Sequence, residues 1–319
     1  MFRGIHLIPH DTKINFLRFH KVTFMISVIM VVGSILLIAI KGLNYGVDFA
    51  GGILMEVKTE GPADLGAMRE QLSSLGLGEA SLQEFGAPDT VLIRLQRQGE
   101  AQEAQIAAIN QVKAALGSNV EFRRTEFVGP KVGAELIHDA VLATVLALFG
   151  IMAYVWFRYE WQFAVNCIVA LFHDCITTVG LFALLGWQFD LNIVAAVLTI
   201  AGFSVNDTVV IYDRIREELR RYKKMPLKDL INLSINRTLS RTIMTSGLAF
   251  LSVLAILLFG GEVLRGFSLA MSWGIIAGTY STICVATPML IYMNLRRRAS
   301  ETATTAATPA GAPEPAKKR

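Results

Sequence analysis

The sequence predicts a polytopic α-helical membrane protein of six transmembrane helices, with one α+β domain inserted between the first and second helices. Three observations predict it. Of the 319 residues 53% are hydrophobic, and the mean hydropathy of +0.48 is too high for a water-soluble globule. Six apolar stretches have the roughly 17 to 25 residues a helix needs to cross the hydrocarbon: 22–40, 138–157, 163–186, 191–212, 242–259 and 267–293. Between the first two, over 42–137, the apolar runs are short and change period, as in a water-soluble domain.

The elements follow in chain order. Residues 1–21 form a basic N-terminal segment with Arg3, Lys13, Arg18 and Lys21. Span 22–40 resembles a signal sequence but ends Leu-Ile-Ala-Ile-Lys without a small-x-small cleavage site, so it reads as an uncleaved anchor. Arg158 separates spans two and three, Arg214 to Arg241 populate the connection 213–241 after span four, and Arg296, Arg297 and Arg298 follow span six. Near the membrane the opposite connections hold only Lys41 and Arg265; the insert 42–137 also carries positive charge, such as Arg94 and Arg123, but long translocated domains do not obey the positive-inside rule. Lysine and arginine collect on the cytoplasmic side, so both termini are expected there and domain 42–137 on the periplasmic side. These clusters account for the net charge of +4, which leaves no basic face for a nucleic-acid partner. Span six, being long, is expected to tilt or to include interfacial residues, and the tail 294–319, rich in Ala, Thr and Pro, is expected to be a disordered cytoplasmic segment. Its basic end gives a weak contact to anionic lipid.

In the inserted domain, Ile53 to Val57 reads as a strand after the Gly51-Gly52 turn, and Pro62 to Leu75 as a helix with Leu65, Met68 and Leu72 on one stripe. Ala80 to Phe85 and Thr90 to Leu95 are strands around a Gly-Ala-Pro-Asp turn. Glu103 to Leu116 is a second helix with Ile106, Ile109, Val112 and Leu116 expected inward, and Val120 to Val128 closes the domain as a strand. The order βαββαβ is that of the ferredoxin-like fold. No histidine or cysteine occurs between residues 21 and 137, and no Gly-rich phosphate loop, so no catalytic set, cofactor or metal site is expected in this domain.

The chemistry is expected in the membrane. Asp207 lies within the apolar stretch Leu191 to Tyr212, and a carboxylate in hydrocarbon costs about 3 kcal/mol or more, so it faces protein or a water path and has a partner. Ser204, Asn206 and Thr208 surround it with hydrogen-bonding groups. The residue types leave two roles open: a proton-carrying carboxylate, or a structural hydrogen-bond donor in its protonated form. Arg241, at the head of span five, is either its partner or an arginine reaching to the interface. His173 and Asp174, near the middle of span three and followed by Thr177 and Thr178, are either a second element of a proton path or a packing hydrogen bond. Gly266, Ala270, Gly274 and Gly278 recur every four residues in span six and form a stripe for close helix packing. Asp190, Asn192 and Glu262 sit at outer ends, where water accounts for them. The three cysteines, Cys167, Cys175 and Cys284, all fall in spans, without the paired spacing of a metal cluster.

Four runs occur in order: Asn44-Tyr45-Gly46-Val47-Asp48-Phe49-Ala50-Gly51-Gly52; Val128-Gly129-Pro130-Lys131-Val132-Gly133; Gly202-Phe203-Ser204-Val205-Asn206-Asp207-Thr208-Val209-Val210 with Tyr212 to Glu217; and Asn236-Arg237-Thr238-Leu239-Ser240-Arg241-Thr242. Together they resemble the SecF group of the SecD/SecF family of protein-export membrane proteins, within the resistance-nodulation-division superfamily, over residues 15 to 295. The resemblance implies an inner-membrane subunit that pairs with SecD, joins the SecYEG channel, often with YajC, and uses the proton-motive force late in export of an unfolded polypeptide. It implies that Asp207 carries protons and that Arg241 is its partner, with Asp174 and His173 secondary and Ser204, Asn206 and Thr208 supporting. The SecD half, with a further membrane aspartate, is not in this chain, so the proton path is expected to need both.

Other readings stay open: half of a proton-driven small-molecule or lipid exporter, or a passive translocon scaffold. An intramembrane hydrolase using His173 and Asp174 would need a nucleophile, and Cys175 is one step off their face. No enzymatic activity and no cofactor are expected.

Overall fold

The computed structural model describes residues 12–295 apart from 79, 96–97, 99–101, 118–119, 129 and 294. The tail expected at 294–319 lies, except for Leu295, outside the described residues, as do residues 1–11. The chain enters through a 3₁₀ turn, Phe16–Phe19, and helix α1, His20–Lys41, and leaves the membrane at β1, Asn44–Tyr45, and the one-turn helix α2, Val47–Ala50. The Gly51-Gly52 pair turns it into the external domain with φ values of 70° and 127°, which only glycine adopts readily.

That domain runs β2 (Gly52–Thr59), α3 (Leu65–Ser73), β3 (Ala80–Phe85), β4 (Ala87–Leu95), α4 (Gln102–Leu116) and β5 (Val120–Val128). The antiparallel sheet has the order β3-β4-β2-β5, the ferredoxin-like arrangement. Ile53, Met55 and Val57 alternate inward along β2 and meet Val91, Ile93 and Leu95 of β4 beneath the two helices. Asp64 starts α3 by accepting hydrogen bonds from Gly66 N at 2.9 Å and Ala67 N at 3.0 Å, and Met68 and Leu72 are buried. On α4 the inward stripe is Gln105, Ala108, Val112 and Leu116, with Ile109 half-buried, whereas Ile106 is 47% exposed. Six helical residues separate Ile106 from Val112, which places them about 120° apart, so both cannot face the sheet.

The membrane bundle is completed by α5 (Pro130–Arg158), α6 (Trp161–Leu185), the short β6 (Gln188–Phe189), α7 (Leu191–Arg221), α8 (Leu227–Phe259) and α9 (Gly261–Ser281). α9 continues through a π-helical stretch, Thr282–Ala286, and further short turns to Met293. Among the described residues six helices are long and apolar enough to cross a membrane. α6, α7 and α9 form the buried centre, and α1, α5 and α8 are the most exposed. The small-residue stripe of α9 is an internal packing face. A Cβ at Gly266 would lie 3.2 Å from Ile193 Cδ1, one at Gly278 3.3 Å from Ser204 Cβ, and one at Gly274 would overlap Ile200.

The charged connection 213–241 is mostly helix. α7 continues unbroken to Arg221 and α8 starts at Leu227, because Arg, Glu and Leu are strong helix formers. Glu218, fully buried, ties the two extensions together by pairing with Arg214 at 2.7 Å and with Arg237. The N-terminal segment docks on the same hairpin: Ile14 N donates to Asn236 Oδ1 at 2.9 Å, Asn236 Nδ2 donates back to Ile14 O at 2.8 Å, and Phe16 N donates to Asn232 Oδ1 at 2.9 Å.

Candidate functional site

The centre of the bundle holds two carboxyl groups on either side of α9. Asp174, on α6, is 0% exposed. Its Oδ2 accepts hydrogen bonds from Ser204 Oγ of α7 at 2.5 Å and from Ser281 Oγ of α9 at 2.8 Å, and its Oδ1 lies 2.9 Å from His173 Nδ1. Gly278 makes room for this convergence, since a Cβ there would come within 3.6 Å of Asp174 Oδ2. His173 is buried against the Tyr280 ring, with centroids 6.2 Å apart, and its Nε2 has no hydrogen-bond partner. Tyr280 in turn donates to Thr23 O of α1 at 2.7 Å and accepts from Ser27 at 3.1 Å.

Asp207 lies one turn further along α7 and is 2% exposed. Ser246 Oγ of α8 donates to its Oδ2 at 2.9 Å, and Thr279 Oγ1 of α9 donates to Ser246 at 3.0 Å. Thr208 closes the α7–α9 seam by meeting Thr282 Oγ1 at 2.8 Å and donating to Ser204 O at 3.0 Å. The two acids therefore share α7 and α9 as walls, and hydroxyl groups satisfy both. Hydroxyls can serve a carboxylate as donors and a carboxylic acid as acceptors, so either protonation state finds partners.

Of the residues singled out from the sequence, His173, Asp174, Ser204, Asp207 and Thr208 converge here. Two do not. Asn206 points outward and is exposed, on the same face as Gly202, Thr199 and Asn192. Arg241 is exposed near the middle of α8, and among the described residues no ion pair joins it to Asp207. Ser246, Thr279, Ser281 and Thr282 complete the site and were not anticipated. The signal for the last three is the polar run Thr279 to Thr282 inside span six; Ser246 has none. Among the described residues no group of three or more His, Cys, Asp or Glu side chains is placed to hold a metal.

Outside the hydrocarbon, β1 pairs in parallel with β6, Asn44 opposite Gln188 and Tyr45 opposite Phe189. The family described as "Protein export membrane protein SecD/SecF, C-terminal" matches residues 108–296, and the "SecD/SecF GG Motif" matches residues 36–63. The chain is 45% identical over 290 residues to a protein translocase subunit SecF of Rickettsia felis, covering 90% of this chain and 94% of that one. It is 42% identical over 308 residues to the SecF of Rhodobacter capsulatus, covering 92% of each. A crystal structure of SecDF, a translocon-associated membrane protein from Thermus, superposes with a TM-score of 0.79 at 33% identity over 90% of this chain. The chain spans 40% of that longer protein. A second SecDF structure, in a super-membrane-facing form, gives a TM-score of 0.69. With matches of this length and identity, the chain belongs to the SecD/SecF family of protein export membrane proteins, as a multi-pass bacterial inner-membrane subunit of the SecF kind with an accessory role in the Sec translocase.

Proposed function

We propose that this subunit, paired with SecD, uses the proton-motive force to promote late steps of polypeptide export through SecYEG, and that Asp207 is its proton carrier. The observation that carries this reading is a carboxyl group buried inside an apolar span whose hydrogen-bond partners, among the described residues, are hydroxyls: Ser246 and, beyond it, Thr279. Among the described residues no lysine or arginine forms an ion pair with it, so protonation is the economical way to hold this carboxyl group in an apolar span. Asp174 and His173 form the second element of the path. The subunit works as a moving part rather than as a chemical catalyst.

The outward polar residues Asn206, Thr199 and Arg241 are expensive against lipid tails, and Gly202 beside them permits close helix approach. This face of α7 and α8 is where SecD packs and where Arg241 meets the proton path. In this reading both termini are cytoplasmic and the ferredoxin-like domain is periplasmic, which the lysine and arginine distribution supports. YajC, anionic lipid and the unfolded substrate complete the assembly.

One proton crossing 100 mV releases about 2.3 kcal/mol, which biases a two-state equilibrium roughly 40-fold. That suffices to reorient an external domain. Protonation of Asp207 removes the charge that would draw Arg241 toward the path at the SecD-facing side, α7 and α8 shift, and the domain moves against SecD. The test is Asp207→Asn in vesicles reconstituted with SecD and SecYEG. Loss of the proton-dependent component of export with ATP-driven export intact supports the reading, and an unchanged proton-dependent rate refutes it in favour of a passive scaffold.

A further inference from the structure

The external domain touches the membrane bundle where β1, β4 and the α6–α7 connection meet. Gly46 N donates to Phe189 O at 2.8 Å and extends the β1–β6 pairing. Asp48 Oδ2 accepts the Leu191 N–H at 3.1 Å, and Asp190 Oδ1 accepts that of Ile193 at 3.1 Å, so two carboxylates from different segments cap the first turn of α7. Phe49 stacks on Phe189 with ring centroids 6.1 Å apart. A Cβ at Gly46 would fall 2.7 Å from Gln188 Nε2, which shows how closely the two strands lie. On the other side α2 rests on α5, where a Cβ at Gly133 would be 3.3 Å from Phe49 O.

Into this joint the external sheet sends Arg94. Arg94, opposite Leu54 on β4, donates to Gln188 Oε1 and lies in the field of Asp190. Burial lowers the Arg94 pKa, and Asp190 opposes that effect. Asp190 is half-buried; burial holds its carboxyl above the ordinary range, with Asp48 adding to the effect and Arg94 opposing it. Its expected role as a water-exposed helix end is thus only part of its environment.

We infer that Arg94 is a coupling residue, which fastens the external sheet to the head of α7 so that motion of that helix reaches the domain. The inference rests on the proposed proton-driven reading for its purpose, but its geometry is independent of it. Asp207 lies sixteen residues below Leu191 on one unbroken helix, about 24 Å away. A tilt set at Asp207 therefore displaces the opposite end of α7. Without Arg94 the displacement would be absorbed in residues 186–190, where Gly186 at φ 68° can hinge. With Arg94 in place, β6, β1 and β4 travel together.

The experiment compares Arg94→Ala, Arg94→Lys and Arg94→Ala carrying a Tyr45→Cys, Phe189→Cys bridge across the β1–β6 pairing, all in the reconstituted complex. Arg94→Ala is expected to lower proton-dependent export at least about fivefold while proton uptake continues, Arg94→Lys to retain part of it, and the oxidised bridge to restore it until reductant is added. Wild-type export by Arg94→Ala, or no restoration by the bridge, overturns the inference. In separate preparations, spin labels at Glu70→Cys and Leu185→Cys read the domain-to-membrane distance directly. Broadening of that distance in Arg94→Ala supports the coupling, and an unchanged distribution overturns it. This readout involves no protons, so its failure is distinct from failure of the proton reading, which Asp207→Asn tests alone.

Discussion

Replacing Asp174 with leucine removes the acceptor at which three helices meet. Three bonds are lost, from Ser204, Ser281 and His173, at 2.5, 2.8 and 2.9 Å. Hydrogen bonds between membrane helices are worth about 0.6 kcal/mol on average, which sets a floor of about 2 kcal/mol. A ceiling follows from orphaned buried groups at about 1 to 3 kcal/mol each. Ser281 has a second acceptor, Gly278 O at 3.1 Å, so two orphans remain and the ceiling is about 6 kcal/mol. Asp174→Asn keeps one acceptor oxygen for the two serines and turns its amide toward His173 Nδ1, so it should cost less than about 1 kcal/mol. Unfolding in lipid nanodiscs, followed by tryptophan fluorescence against denaturant, should rank wild type and Asn together and Leu well below. Equal stability of all three would refute the claim that this carboxyl holds α6, α7 and α9 together.

Gly274→Val should force α7 from α9 at Ile200 and cost about 1 to 3 kcal/mol by overpacking, read as a lower midpoint in the same unfolding assay. Glu218→Gln weakens the junction of α7 and α8 by about 1 to 3 kcal/mol, and hydrogen exchange should quicken at residues 214–237 without change in the external domain. For Asp190 the sign follows from its raised pKa: the folded protein holds that proton more tightly than the unfolded chain. The first turn of α7 therefore loses stability as pH rises above the ordinary carboxylate range and regains it as pH falls. Intrinsic-rate-corrected exchange of the Ile193 and Val194 amides, followed from the ordinary carboxylate range up to neutral pH, should show this dependence, and Asp190→Asn should flatten it.

The six spans and the βαββαβ order were legible because both rest on periodicity, which a single segment carries by itself. Asp207 was legible because one charge in an apolar run has no local excuse. Its partners were not: Ser246 and Thr279 are ordinary residues in membrane helices, and Thr279 has Ile275 O at 2.8 Å as an alternative acceptor on its own backbone. Only the packing of α8 and α9 on α7 gives them meaning. The pairing of Asp207 with Arg241 was inferred from depth along two helices, and depth says nothing about rotation; Arg241 faces outward. The β1–β6 contact joins two-residue strands 144 positions apart, Asn44 and Gln188, too short to announce themselves by alternation. Ile106 shows the reverse error, an apolar residue assigned to the core when Gln105 occupies that stripe.

Helix α1 is fastened on both sides to separate parts of the bundle: just before it, Ile14 N and Phe16 N donate to the side chains of Asn236 and Asn232, and just after it β1 pairs with β6. It is therefore a strut of fixed length, 22 residues or about 33 Å. A bilayer thicker or thinner than this strut cannot be met by sliding or tilting α1 alone. The whole bundle must lean, or the lipid must deform around it, so activity in synthetic membranes should depend on acyl-chain length.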